Sequence, residues 1–197
     1  MDDIPFGFLI DYGIAGIAAL GLLERFVPVV PSYVLFVVIG LVAVDHAAAL
    51  PAVALAASMG SLGGAVAWYA IGRLFGAARC ERLVTRWGRY VFLPLALYRR
   101  LAAAYTRRQF WVTLVGQTVP TVRIYMPLPA GVIGVAPGPF LAACALGVLA
   151  WNTPLIALGF VLRDSGAAPL TIGVGFAIAL LLVEGGALIA LRRRHVS

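Results

Sequence analysis

Long uninterrupted apolar runs constrain this chain more than any other feature. Six can be marked: Pro5 to Leu23, Phe26 to Val44, Ala47 to Gly72, Phe110 to Val135, Gly138 to Leu162 and Ala167 to Leu191. About 20 apolar residues cross the hydrocarbon core as a helix. In lipid, a helix is the open-chain structure that satisfies its own backbone polar groups. Charged residues make up 12% of the chain against 62% hydrophobic, where a soluble domain carries about 25% charged. The expectation is an all-α membrane protein, one membrane domain over residues 1–197 with no soluble domain beside it. The acidic start, Met1-Asp2-Asp3, lacks the basic region that opens a cleavable signal peptide.

The charge is uneven. All 15 basic residues are Arg, and the formal net charge is +7. In a soluble chain that excess would point to nucleic acid. Beside membrane-length runs, anionic lipid headgroups are the simpler partner, and no nucleic acid is expected. The stretch Arg73 to Arg108 holds nine Arg against one acidic residue, Glu81, and the chain ends near Arg192, Arg193 and Arg194. Arg79, Arg82, Arg86 and Arg89 recur at helical spacing, as do Cys80, Leu83, Val84 and Trp87. That pattern predicts an amphipathic helix in the inner interface with Trp87 as its anchor. It serves either as a topogenic signal alone or also as a headgroup contact, worth about 1 kcal/mol per Arg.

Positive flanks mark the cytoplasmic side, so segment 73–108 and the C-terminus are both expected there. An even number of crossings must separate them, yet three apolar runs do, so one run does not cross. Phe110 to Val135 is the candidate, because it contains Gln117, Pro120, Arg123, Pro127, Pro129 and Gly131. Proline disrupts a helix interior, and Arg at mid-membrane costs about 2.5–3.5 kcal/mol even on the lenient scale. A re-entrant segment buried in protein tolerates both. Phe26 to Val44 opens the same way, with Glu24, Arg25, Pro28, Pro31 and Ser32. Each broken run precedes a Gly- and Trp-bearing span, one with Gly60, Gly63, Gly64, Trp68, Gly72 and Arg73, the other with Gly147, Trp151, Gly159 and Arg163. The expected plan is an inverted repeat of two re-entrant segments, each followed by a transmembrane helix. It comprises units 24–72 and 110–163, the Arg-rich segment 73–108 between them, and a C-terminal helix over 167–191.

Two charges are expensive in such a plan. Glu24 and Arg123 lie in the two broken runs, and convergence of those runs would let them pair. Arg25 is the neighbour of Glu24, but adjacent residues do not face each other on a helix. The candidate substrate-binding or coupling set is Glu24, Arg123, Gln117, Pro31, Ser32 and Tyr33. Pro28, Pro120, Pro127 and Pro129 are expected to shape the backbone, and Gly60, Gly63 and Gly64 to permit close helix packing. Gly72, Arg73, Gly131 and Trp151 complete the motif set. Trp68, Tyr69 and Trp151 read as core or interface aromatics, and Cys144 as packing. Glu184 ranks below Glu24, since the terminal Arg residues lie near it. No metal or cofactor is expected: the chain has two His, no Cys or carboxylate cluster at ligand spacing, no phosphate-cradling loop and no nucleophile elbow. An enzyme would have almost no groups to work with.

The blocks ERFVPVVPSYVLFVVIG (24–40), GSLGGAVAWYAIGRLFG (60–76), GQTVPTVRIYMPLPAG (116–131) and Phe140 to Gly159 together resemble the DedA family, also called the VTT-domain family. The resemblance covers nearly the whole chain, in order. It implies a membrane transporter, since several members move lipids such as undecaprenyl phosphate or phosphatidylethanolamine, some with dependence on the proton gradient. It places weight on Glu24 and Arg123. Three positions depart from the family pattern: Tyr33 stands where an acidic residue is frequent, Gln117 where the third block has its first Arg, and Gly64 where the second block has Asp. These departures weaken the case for proton coupling and for a strongly anionic substrate. The expected function is a lipid flippase or scramblase of the bacterial inner membrane, with Arg123 binding phosphate. The alternatives are a small-anion transporter and a non-transporting scaffold for envelope assembly or division. An oligomer is compatible with the sequence.

Overall fold

A computed structural model describes residues 7–27, 31–87, 95–96, 103, 109–117, 119–163 and 175. Pro28, Arg89, Asp164, Glu184 and, apart from Gly175, the expected C-terminal helix over 167–191 lie outside the described residues. A 3-10 turn over Gly7–Tyr12 leads into α1 (Gly13–Leu23). After a turn and a break comes α2 (Ser32–Ala43), a second 3-10 turn (Ala47–Ala49), and the long α3 (Leu50–Trp87). The second half holds α4 (Gln109–Gln117), α5 (Pro120–Tyr125), α6 (Pro127–Ile133) and α7 (Pro137–Leu162). The described residues are predominantly helical, with no strand among them.

Proline sets where the chain restarts. Pro31 caps α2 with extended ψ, and Pro120, Pro127 and Pro137 open α5, α6 and α7. A proline there loses no bond, because the first-turn N–H groups have no intrahelical partner. The run 110–135 is therefore broken into three short helices. The helix expected over 47–72 does not stop there. It runs on past Arg73 and breaks at Gly76, whose φ of 70° and ψ of 171° leave the helical region, and a second helical segment follows to Trp87. The first part of the Arg-rich stretch is thus a helix of its own, set off at Gly76, with Arg79, Arg82 and Arg86 exposed and Cys80 buried, as its spacing predicts. Glycine suits that bend because φ > 0 costs it nothing.

Among the described residues, two apolar helical stretches are long enough to span by length and composition: Ala47–Arg82, with mean hydropathy 1.6, and Pro137–Leu162, with 1.8. The 12 residues of α2 reach only about 18 Å of a ~30 Å core. Yet α2 is apolar and nearly all buried, including Phe36, Val37 and Ile39 at 0% exposure. A helix hydrophobic all round must be enclosed. Meanwhile Leu55, Met59, Leu74, Trp111, Leu146 and Val161 are more than half exposed. An apolar outside of that extent suits lipid better than water.

Four of the helix crossings among the described residues rest on glycine. In α1 against α3, a Cβ at Gly21 would strike the Ala57 carbonyl, and one at Gly60 the Ala18 carbonyl. The short helix after each break instead packs on the long helix of the other half. Gly40 of α2 meets the Ile156 carbonyl of α7, and Gly159 meets that of Val37. Likewise Gly72 of α3 meets the Leu128 carbonyl of α6, and Gly131 meets that of Tyr69. Gly147 of α7 abuts the Gln117 side chain at the end of α4. Gly63 does not share this role: a Cβ there would touch only Leu22 Cδ1, at 3.7 Å.

Both short helices end against an arginine from their partner. The α2 C-terminus receives Arg163, whose Nη1 donates to the carbonyls of Val44 and Asp45, each at 2.6 Å. At the end of α6, Gly134 adopts φ 75°, and the Tyr69 hydroxyl donates to the Val135 carbonyl at 2.5 Å. Arg73 Nη1 donates to that hydroxyl at 3.3 Å.

Candidate functional site

The turn that follows α1 carries the first charges. Glu24 to Phe26 lie past the last residue of α1 in a hydrogen-bonded turn, with Arg25 N–H donating to Leu22 O and Phe26 N–H to Leu23 O. The Arg25 carbonyl is tied by Trp68 Nε1 at 2.9 Å, and Phe26 stacks on Trp68 at 5.5 Å. This geometry overturns the expectation for Arg25. The rule that neighbours diverge applies to a helix, and here the helix has ended. Arg25 Nε lies 3.0 Å from Glu24 Oε1. Its N–H is not aligned as a hydrogen bond, so the contact is coulombic.

From the second half, Arg123 enters on α5. Its Nη2 donates to Glu24 Oε1 at 3.0 Å and to Asn152 Oδ1 at 3.4 Å, and its Nη1 to Ser32 Oγ at 3.5 Å. The guanidinium carbon sits 5.3 Å from the Trp151 ring centroid and 5.8 Å from that of Phe36, within cation–π range. Arg25 Nη1 donates to the Arg123 carbonyl at 2.6 Å, and its Nη2 to Gln117 Oε1 at 3.2 Å. Gln117 Nε2 in turn donates to Cys144 Sγ at 3.3 Å. Ser61 donates to Glu24 Oε1 at 3.2 Å, and Asn152 Nδ2 donates to Ser61 at 3.2 Å and Ser58 at 3.4 Å. Arg25, Arg123, Gln117, Asn152 and Ser61 are 0% exposed, and Glu24 is 5% exposed.

Of the residues singled out from sequence, the structure brings together Glu24, Arg123, Gln117 and Ser32. Tyr33 instead belongs to the apolar cluster around Ile17, Leu20, Phe36 and Val37. Pro31 is exposed at the head of α2. Arg25, set aside by the helix rule, belongs to the centre, and three further partners carry no flag in the sequence analysis: Ser58, Ser61 and Asn152. The signal for Asn152 was present, as an amide inside a 26-residue apolar helix. Ser58 and Ser61 carry the weaker signal of helical i, i+3 spacing.

The centre couples two guanidiniums to one carboxylate, one positive charge in excess. It also holds polar atoms without a hydrogen-bond partner among the described residues: Glu24 Oε2, Arg123 Nε and Trp151 Nε1. Buried polar groups are seldom left so.

Fold and site define a helical membrane protein organised around a buried, ion-paired centre. The VTT domain model matches residues 30–161, and the chain belongs to that family, the DedA family. The matched region contains Gln117, Arg123 and Asn152 and begins after Glu24 and Arg25. Among relatives, undecaprenyl phosphate transporter A of Staphylococcus aureus is 29% identical over 165 residues, covering 84% of this chain and 81% of its own. An alkaline phosphatase-like protein of Lactococcus lactis subsp. cremoris is 29% identical over 166 residues, covering 84% and 78%. Its namesake in Lactococcus lactis subsp. lactis is 27% identical over 195 residues, covering 92% and 91%. No solved structure matches the chain significantly.

Proposed function

We propose that this protein transports phosphate-bearing lipids across a bacterial inner membrane, seating the phosphate of the headgroup at the buried centre while the acyl chains stay in the bilayer. One observation carries the reading: Arg25 and Arg123 are fully buried against a single carboxylate, Glu24. Uncompensated buried charge is costly, and a phosphate supplies the missing anion. Guanidinium donors suit that partner in charge and planar geometry. Arg123 Nε and Trp151 Nε1 are the donors still to be satisfied. The name of the staphylococcal relative supports a polyprenyl phosphate as cargo. In this reading the headgroup competes with Glu24 Oε1 for Arg123, and any link of transport to protons acts through that exchange.

The architecture that serves this function is an inverted repeat of two re-entrant segments. The exchange of packing supports it, since α2 crosses α7 and α6 crosses α3, each at paired glycines. So do the two end-caps, Arg163 on α2 and Tyr69 with Arg73 at α6. The Arg-rich segment and the C-terminus are cytoplasmic, and Arg163 faces outward. We read the protein as a non-enzyme, because its centre offers one carboxylate already engaged by two guanidiniums, a binding arrangement rather than an acid–base pair.

Proteoliposomes test the function. A labelled polyprenyl phosphate, a labelled phosphatidylethanolamine and a labelled diacylglycerol are each followed by quenching from outside. Movement of phosphate-bearing lipid above empty liposomes, with diacylglycerol unchanged, is the expected result. Uptake of inorganic phosphate alone would indicate a small-anion transporter. No movement of any probe would leave a scaffold.

A further inference from the structure

Arg25 and Gln117 hold matching places in the two halves. Gln117 ends α4, and Arg25 lies just past α1; in each half a break follows. Each side chain packs over a glycine of the long helix in its own half, Gly64 for Arg25 and Gly147 for Gln117. Each glycine is followed four residues later by a tryptophan, Trp68 and Trp151. The space is tight: a Cβ at Gly64 would lie 2.7 and 2.8 Å from Arg25 Cγ and Cβ, and one at Gly147 would collide with Gln117. The two side chains meet across the interface, Arg25 Nη2 donating to Gln117 Oε1 at 3.2 Å. Only one of the matched positions bears a cation. That cation decides the charge of the centre, since Glu24 with Arg123 alone would be neutral.

We propose that Arg25 determines the anion preference of the centre, and that its guanidinium is exchangeable with one carried at position 117. The proposal rests on the reading of the centre as a headgroup site and assigns its selectivity to one residue. Arg25 is a positioning residue. Its Nη atoms are spent on the Arg123 carbonyl and Gln117, so it holds the α5 backbone in register and supplies positive field. Arg123 makes the direct contact. Field from a fixed charge is stronger in a buried site than in water.

The test uses the full chain in maltoside micelles, with dodecyl phosphate as the anionic probe. Dodecylphosphocholine, which carries phosphate without net charge, is the control. Apparent affinity is read from ligand-dependent thermal stabilisation, beside melting without ligand. The wild-type chain is expected to prefer dodecyl phosphate by roughly tenfold or more. Arg25→Gln should abolish that preference while still folding, because Glu24 keeps Arg123. Arg25→Gln with Gln117→Arg should restore it, the guanidinium now arriving from the facing segment. Arg25→Lys should keep the preference at lower melting temperature, since charge persists while the two-acceptor fork is lost. Should Arg25→Gln fail to fold, the lysine variant and the reciprocal double carry the test, and both must show the preference. A wild-type chain without preference, an Arg25→Gln that retains it, or a reciprocal double that lacks it or does not fold overturns the proposal. Preserved preference with no lipid movement in liposomes would contradict the transport reading alone.

Discussion

Removing the single carboxylate should cost more than removing either arginine. Glu24 Oε1 lies 3.0 Å from both Arg123 Nη2 and Arg25 Nε and accepts from Ser61 at 3.2 Å. Glu24→Gln leaves two fully buried guanidiniums facing each other with no counter-charge. At an effective dielectric of about 20, a unit pair at ~4 Å is worth about 4 kcal/mol, and two such attractions are lost. The relieved desolvation of the carboxylate offsets part of that. Breaking a buried pair commonly costs about 3–5 kcal/mol, and the bridging geometry puts Glu24→Gln at the upper end. Arg123→Gln behaves differently. Glu24 keeps Arg25, the centre becomes neutral, and the loss is that of charge-assisted hydrogen bonds, about 1.5–3 kcal/mol. Glu24→Gln with Arg123→Gln restores the wild-type net charge and should recover part of the single carboxylate loss. Unfolding in mixed micelles across a denaturant series, with the four chains compared in one double-mutant cycle, measures this. An Arg123→Gln chain as unstable as Glu24→Gln, or a double mutant less stable than both singles, would refute the bridging argument.

Other consequences are simpler to state. Gly60→Ala should block the α1–α3 crossing and lower folded yield, while Gly63→Ala should stay within about 0.5 kcal/mol of wild type, read by melting in detergent. Gly134→Ala forces a Cβ into φ 75° and should cost roughly 1–2 kcal/mol. Arg163→Gln uncaps α2 and should cost about 1 kcal/mol, with faster amide exchange at the C-terminal end of that helix. Single cysteines at positions 45 and 77 should label from opposite sides of intact cells with an impermeant maleimide, position 45 from outside; labelling of both from outside would contradict the inverted arrangement.

Much of the architecture was legible because membrane helices announce themselves by apolar length, and because Pro31, Pro120 and Pro127 mark where the backbone restarts. Glu24 and Arg123 stood out since the bilayer makes charge expensive. Arg25 was discounted by a helix rule applied one residue beyond the helix, and where α1 ends depends on tertiary contacts such as Trp68 binding its carbonyl. Asn152, Ser58 and Ser61 were obscured by their apolar neighbours; an isolated polar residue in a span becomes informative only when its partners are in view. Gly63 was grouped with Gly60 and Gly64 because all three lie within one turn or so. Only packing separates them, since Gly60 faces α1 backbone and Gly64 faces Arg25. The boundary read at Arg73 lies three residues early, since the backbone leaves the helix at Gly76 and the basic helix begins after it. The weakened case for an anionic substrate was drawn from Gln117 and Gly64 without Arg25 in view, which packs over Gly64 and donates to Gln117.

The measurement that bears most directly on the account is the initial rate of polyprenyl phosphate movement in proteoliposomes for wild-type and Arg123→Gln chains of matched folded fraction. The account predicts movement above empty liposomes for the wild type and a loss of at least roughly tenfold, about 1.4 kcal/mol, when Arg123 is neutralised. Equal rates for the two chains would contradict it.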